Sequence, residues 1–401
     1  MRGVLLALVA ATACRPSVEF HCADTSQCTL GTTQGTCEPE GFCSFPDSSC
    51  ESQRRFDETA GSGLADACVA GQPGCEAFAS HLFSACALTA PDTVGFSAGL
   101  SYSYDTDTDM LAESDEAIAH GSIVLQQADG SRVRALSLAS LGMPAGTTLT
   151  VGGSLPLILA SWGDATIAGT ITVLPSASPG GCAAAAGTAA PDATSGAGGG
   201  GGGGNQGFGG TGGSDDPVLG GTGGGTIAAP TTLRGGCPGA AGGASTTAAG
   251  GTGGAGGNAI LISANGSLSI AGAVSAGGGG GASGSSSSGA GGGGAGGMIG
   301  LDATSLAIAG SVVATGGGGG GASSAGAPAT DTGSNAAAGG SETACAPAGG
   351  SGAAQALDGA SVVDNSTCGG PGGGGGDGYI LTFATPMRGS GAIVVPAATP
   401  Q

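Results

Sequence analysis

The chain contains no lysine, and its eight basic residues are all arginines, of which only Arg234 and Arg388 lie beyond Arg134. Against them stand 28 acids, for a net charge of −20. A chain without a basic patch cannot neutralise a run of phosphates, so nucleic acid is excluded as a partner. Docking by charge on anionic lipid head groups is excluded for the same reason. The missing lysine also removes the Walker-type phosphate loop that glycine runs otherwise invite. No C-x-x-C pair occurs, which leaves a zinc site poorly supported. Histidine ends at His120, so the second half offers no imidazole for proton transfer. Aromatics make up only 3% and charged residues 9% of 401 residues, far from an ordinary globular composition.

What fills the chain instead is glycine, 91 residues of it, set around a repeated unit. One copy runs Ala-Ile-Leu-Ile from Ala259, then Leu268-Ser-Ile270-Ala-Gly272-Ala-Val274, then glycines over 277–281. Shifted by 38 residues it returns as Met298, Leu306-Ala-Ile308-Ala-Gly310-Ser-Val312 and glycines over 316–321. Diverged copies flank the pair, at Pro156 to Ile171 and at Tyr379 to Ile393. Leu268, Ile270 and Val274 alternate, as on one face of a strand, and Gly272 weakens a helical alternative by roughly 1 kcal/mol. A unit with one thin apolar face buries it only by stacking on its neighbours, where each Ile or Leu gains about 1.5–3 kcal/mol. The fold expected is mostly β: a parallel β-helix or β-solenoid over 143–401, its coils interrupted by long glycine-rich loops. Because glycine has the most backbone freedom to lose and no side chain to bury, the runs at 198–204, 277–281, 291–294, 316–321 and 372–376 read as loose loops. The alternative is an ordered bundle of polyglycine helices, which runs such as Gly250 to Gly257 would let approach closely.

Residues 1–13 read as a secretory signal: Arg2, an apolar run from Val4 to Val9, then small residues, too short to span a bilayer. The ending Ala11-Thr12-Ala13-Cys14 resembles a bacterial lipobox, although a lipobox usually carries leucine at the position of Ala11. Thirteen cysteines are odd, and a lipidated Cys14 leaves twelve that can pair completely. Cys22, Cys28, Cys37, Cys43 and Cys50 form a compact module over 14–52, with gaps of five, eight, five and six residues. In an exported chain these read as a disulfide framework, with Cys68, Cys75 and Cys86 as further members. Cys182, Cys237, Cys345 and Cys368 punctuate the glycine-rich half. The spacing does not choose among pairings. The run Gly41-Phe-Cys43-Ser-Phe-Pro-Asp47-Ser-Ser-Cys50 resembles a module near the N-terminus of lipoproteins of myxobacteria, in which a glycine-rich repeat region follows. That resemblance implies an architecture and an address and carries over no catalytic residue.

Residues 53–142 form a connecting region of more ordinary composition, in which Phe78 to Leu88 suits a short helix. Two motifs in it carry chemistry. Gly95-Phe96-Ser97-Ala98-Gly99 matches the G-x-S-x-G nucleophile elbow, with acids and His120 following in hydrolase order. The elbow needs a helix after the serine, and the strand-like Leu100 to Tyr104 stands there, so the match reads as compositional. Asp105, Asp107, Asp109, Glu113 and Glu116 occupy the first, third, fifth, ninth and twelfth positions of a calcium loop, with Met110 where the turn glycine belongs. Calcium is the one cofactor this pattern suits, and a solvated acidic turn is the plainer alternative. A β-helix polysaccharide lyase would want clustered acids beside a base. Beyond residue 142 the acids are scattered, apart from Asp215-Asp216.

These observations point to a non-enzymatic surface lipoprotein, held in the membrane through Cys14, with a structural or adhesive role at the cell envelope. Its expected location is the outer membrane or cell surface, with plain secretion as the alternative. Envelope polysaccharide or other surface proteins are the expected partners. A carbohydrate-active β-helix enzyme and a calcium-dependent binding module are the rivals.

Overall fold

The computed structural model describes residues 19–71, 74–176, 182, 185–194, 196–215, 218–329, 336–341, 347–354, 359–360, 365–366 and 368–401. Cys14 and Cys345 lie outside these. The fold is mostly β, about 30% strand, with no α-helix among the described residues. The chain divides into two compact units, Met1–Gly71 and Gln72–Gln401.

In the first unit an antiparallel sheet of Thr36–Cys37, Cys43–Pro46 and Arg54–Phe56 is stapled by Cys22–Cys37, Cys28–Cys43 and Cys50–Cys68. The last bridge carries the module past residue 52, because the strand Arg54–Phe56 completes its sheet. The sulfurs of Cys22, Cys28 and Cys37 come within 4.8 Å of one another, but as members of disulfides they hold no metal. Phe42, Phe56, Ala60 and Val69 make a core too small to hold the unit alone, so each bridge, worth about 2–4 kcal/mol, matters to it.

The second unit is built on two sheets, of ten and eight strands. The ten-stranded sheet runs through Ser122–Gln126, Arg132–Leu138, Leu157–Ser161, Ala259–Ile270, Met298–Ile308 and Tyr379–Thr382. The eight-stranded sheet runs through Met110–Glu113, Ser101–Asp105, Thr148–Gly152, Thr170–Val173, Ala273–Ser275, Ser311–Val313 and Ile393–Val395. From Arg132–Leu138 and Ser101–Asp105 onward all these neighbours pair in parallel, and antiparallel pairing is confined to the N-terminal end. Both sheets thus begin before residue 142, and residues 101–142 belong to the same body as the glycine-rich part.

The repeat spacing survives as ladder register. Leu268 faces Leu306, Ile270 faces Ile308 and Val274 faces Val312, at the 38-residue shift. The first stretch is offset by one, with Ala259 opposite Met298, because the ladder shifts register between Ala264 and Ser267. In the last copy Val312 meets Val394, where matching Gly310-Ser-Val312 to Gly391-Ala-Ile393 predicts Ile393. Alternation then sorts the side chains. Ile260, Ile262, Leu268 and Ile270 enter the core between the sheets, with Ile171 and Val274, while Ala259 and Leu261 face the other side. That outer face is covered by residues 75–88, where a helix is expected from the sequence. The structure has instead a strap closed by Cys75–Cys86, with 3-10 turns at Cys75–Ala77 and Ala85–Ala87. Phe78, inside the disulfide loop, and Leu88, just beyond it, are both buried against the sheet.

The glycine runs are not loose loops. Along residues 199–204 the backbone N–H groups turn to three neighbours in rotation. Gly199 and Gly202 donate to Gly213 and Gly210, Gly200 and Gly203 to Ala290 and Gly293, and Gly201 and Gly204 to Thr188 and Ala185, all at 2.8–3.1 Å. A partner that recurs every third residue is the mark of a polyproline-II-type helix with three residues per turn. The runs at 291–294, 316–321 and 372–376 interlock in the same way: Gly293 donates to Gly373, Gly320 to Gly291, and Gly372 to Gly320. A Cβ on Gly318 would stand 2.1 Å from the carbonyl oxygen of Ala338, and one on Gly202 would stand 1.9 Å from that of Gly374. Only glycine lets backbones come this close. Hydrogen bonds between these segments, at nearly every residue of 199–204, supply the reward that side chains do not.

Candidate functional site

The acidic turn lies between the strands Ser101–Asp105 and Met110–Glu113. Its five carboxylates go separate ways. Asp105 Oδ1 accepts from the N–H groups of Asp107 and Thr108, closing the turn on itself. Asp107 accepts from the N–H and hydroxyl of Ser154. Glu113 and Glu116 sit opposite each other on paired strands, outside the turn. Asp109 points inward, held at a φ of 58°, a left-handed conformation that Asp tolerates better than most residues. Among the described residues these carboxylates form no group of three converging ligands.

Asp109 is instead the centre of a network. Its Oδ1 accepts from the Tyr104 hydroxyl at 2.8 Å and from His120 Nε2 at 3.1 Å. Its Oδ2 accepts from Ser122 Oγ at 2.6 Å and lies 3.4 Å from Arg134. Arg134 also donates from Nε to the Thr106 carbonyl. Burial alone would push the Asp109 carboxyl up, but the hydrogen bonds from His120, Ser122 and Tyr104 and the charge of Arg134 outweigh it and hold the group far below its usual range. Burial, followed by the adjacent carboxylate, pushes the Tyr104 hydroxyl well above its usual value. Tyr104 belongs to the eight-stranded sheet and Asp109 to a turn between two of its strands, while Ser122 and Arg134 belong to the ten-stranded one, so the network bridges the two.

The second polar centre is on the outer face. Asp302, 2% exposed, accepts both the backbone N–H of His81 and its Nδ1, each at 2.9 Å. The His81 ring stacks on Phe383 at 4.7 Å and is half exposed. Asp302 thereby pins the strap across the sheet. Trp162 lies beside it, edge-on to Phe78, its Nε1 donating to Ser137 Oγ.

The serine motif makes no elbow. Ser97 lies in an extended segment, its N–H donating to the Tyr102 hydroxyl and its carbonyl accepting from Thr147, while His120 is committed to Asp109. Of the twelve cysteines expected to pair, eleven are described and all are disulfide-bonded: four bridges among the first eight, Cys182–Cys237, and Cys368, whose partner lies outside the described residues. Sequence reading missed Asp302, Arg134, Ser122 and Tyr104. Asp302 had a signal, a lone acid at a position where the neighbouring copy places Ser263. The other three had none, because Ser122 and Arg134 reach Asp109 from the other sheet and Tyr104 from across the turn.

No family model, no curated protein and no solved structure matches this chain.

Proposed function

We propose that the protein is a non-enzymatic surface lipoprotein: a lipid on Cys14, a disulfide-bonded module, then a β-solenoid braced by a polyglycine bundle, acting as a rigid structural or adhesive element of the cell envelope. The observation that carries this reading is the bundle itself. Among the described residues its interior is largely backbone against backbone, with few polar side chains such as Asn205, which donates to the Gly296 carbonyl, and this is the composition of a scaffold. The bonded cysteines fit an oxidising exterior. Thirteen cysteines cannot all pair, and a sulfur left over fits a lipid acceptor. Among the described residues no helix is long and apolar enough to cross a membrane, so a lipid would supply the anchor.

The carbohydrate-active rival calls for acids and an arginine meeting at an accessible face. Asp109 and Arg134 do meet, with His120 beside them, but the His120 and Arg134 side chains are only 7% and 13% exposed, and both oxygens of Asp109, itself 37% exposed, are engaged. The cluster reads as a brace.

Replacing Cys14 by serine should move the protein from the membrane fraction to the soluble one and abolish incorporation of labelled palmitate. Membrane retention of that variant, with no label in the wild type, overturns the anchor. External protease should remove the protein from intact cells, and protection from it overturns the surface address.

A further inference from the structure

The network around Asp109 has a task that its position defines. Antiparallel strands close the N-terminal end of both sheets: Met110–Glu113 and Glu116–Ala117 on the eight-stranded one, Ser122–Gln126 on the ten-stranded one. Asp109 and Tyr104 come from the first of these ends, Ser122 and Arg134 from the second, and His120 from the link between them.

Both ring nitrogens of His120 face groups that only accept. Nδ1 lies 2.9 Å from the carbonyl of Ile118 and Nε2 lies 3.1 Å from the Asp109 carboxylate. A neutral imidazole has one N–H, so only the imidazolium satisfies both contacts. We propose that His120 and Asp109 form a proton-operated clasp: with His120 protonated the ends of the two sheets are fastened together, and loss of that proton loosens them.

The groups facing His120 leave it as the one that changes charge near neutral pH. Asp109 is held ionised by three hydrogen-bond donors and by the positive charge of Arg134. Tyr104 is kept neutral by burial and by the Asp109 charge. Asp92, on the segment that runs beside Leu138, adds a second negative charge. The hydrogen bond to Asp109, opposed by burial and aided by the Ile118 contact, raises the His120 value above 6.5. A raised folded value means stability that is fully present below the unfolded value of about 6.5 and lost as pH rises through the folded one. Loosening would uncover the edges of Ser101–Asp105 and Arg132–Leu138, strands able to pair with another chain.

The test uses the full chain with labelled histidine. The His120 ring should titrate above the free value, and amide protection over residues 101–126, corrected for intrinsic exchange, should fall between pH 5.5 and 8.5. The expected loss is about tenfold for each unit by which the folded value exceeds the unfolded one. In His120→Gln that fall should shrink to near onefold, while protection in Ala259–Ile270 stays unchanged in both proteins. A ring titrating at or below the free value overturns the clasp without recourse to any variant. So does a raised ring value whose titration leaves protection over 101–126 unmoved.

Discussion

At the scale of single residues, glycine sets the strictest terms. Gly318 donates to Ala327 while its Cα faces the Ala338 carbonyl at a distance that admits no Cβ. Gly318→Ser should therefore cost at least the roughly 1–3 kcal/mol of an overpacked core, with several degrees lost in the thermal midpoint. Ile308→Asp, which puts a charge at a fully buried ladder position, should cost about 4 kcal/mol or more. Gly95→Ser, where nothing lies within 4 Å, should be neutral. Thermal melts of the three separate a packed lattice from loose loops: if Gly318→Ser behaves like Gly95→Ser, the lattice is absent.

At the scale of elements, the acidic turn is a connector that has spent its carboxylates. Asp105 caps its own turn, Asp107 holds Ser154 and Asp109 carries the network, so an incoming cation would have to displace bonds already made. Millimolar calcium should leave the thermal midpoint of the wild type within about a degree, since little differential affinity remains to shift the folding equilibrium. A rise of several degrees that Asp105→Asn removes would restore the calcium loop. At the opposite end of the sheets the last strands carry Pro386 and Pro400, which lack the N–H that another chain would need for pairing.

At the scale of the whole molecule, the second unit joins two kinds of order that share one backbone. The strands are held by side chains meeting between sheets, the glycine runs by hydrogen bonds alone. Cys182–Cys237 ties two segments of the glycine-rich part across 55 residues. By the loop-entropy estimate, removing that bridge as a Cys182→Ala, Cys237→Ala pair should cost about 4 kcal/mol. Denaturant melts followed by backbone signal would show it as a lower midpoint with a steeper slope, because the uncrosslinked denatured chain exposes more surface. No shift in midpoint would mean that the lattice is held by its hydrogen bonds without the bridge.

The sequence by itself determined the strands and much of their pairing. Alternation at Leu268, Ile270 and Val274, copied 38 residues later, is a short-range pattern, and stacked copies of one pattern meet in register. It also marked the cysteine module, whose bridges all close over 15 to 18 residues. Three things only the tertiary structure decided. A glycine run carries no side-chain pattern, so whether it is slack or locked depends on whether other runs lie within hydrogen-bond reach, as 291–294 and 372–376 do for 198–204. The strap over residues 75–88 has apolar spacing compatible with a helix, and the sheet beneath it and its disulfide chose otherwise. Asp109 looked like one of five calcium ligands because sequence shows only its neighbours in the chain. Its partners Ser122 and Arg134 arrive from the other sheet, and a carboxylate with three donors and an arginine already in place is committed before any ion comes.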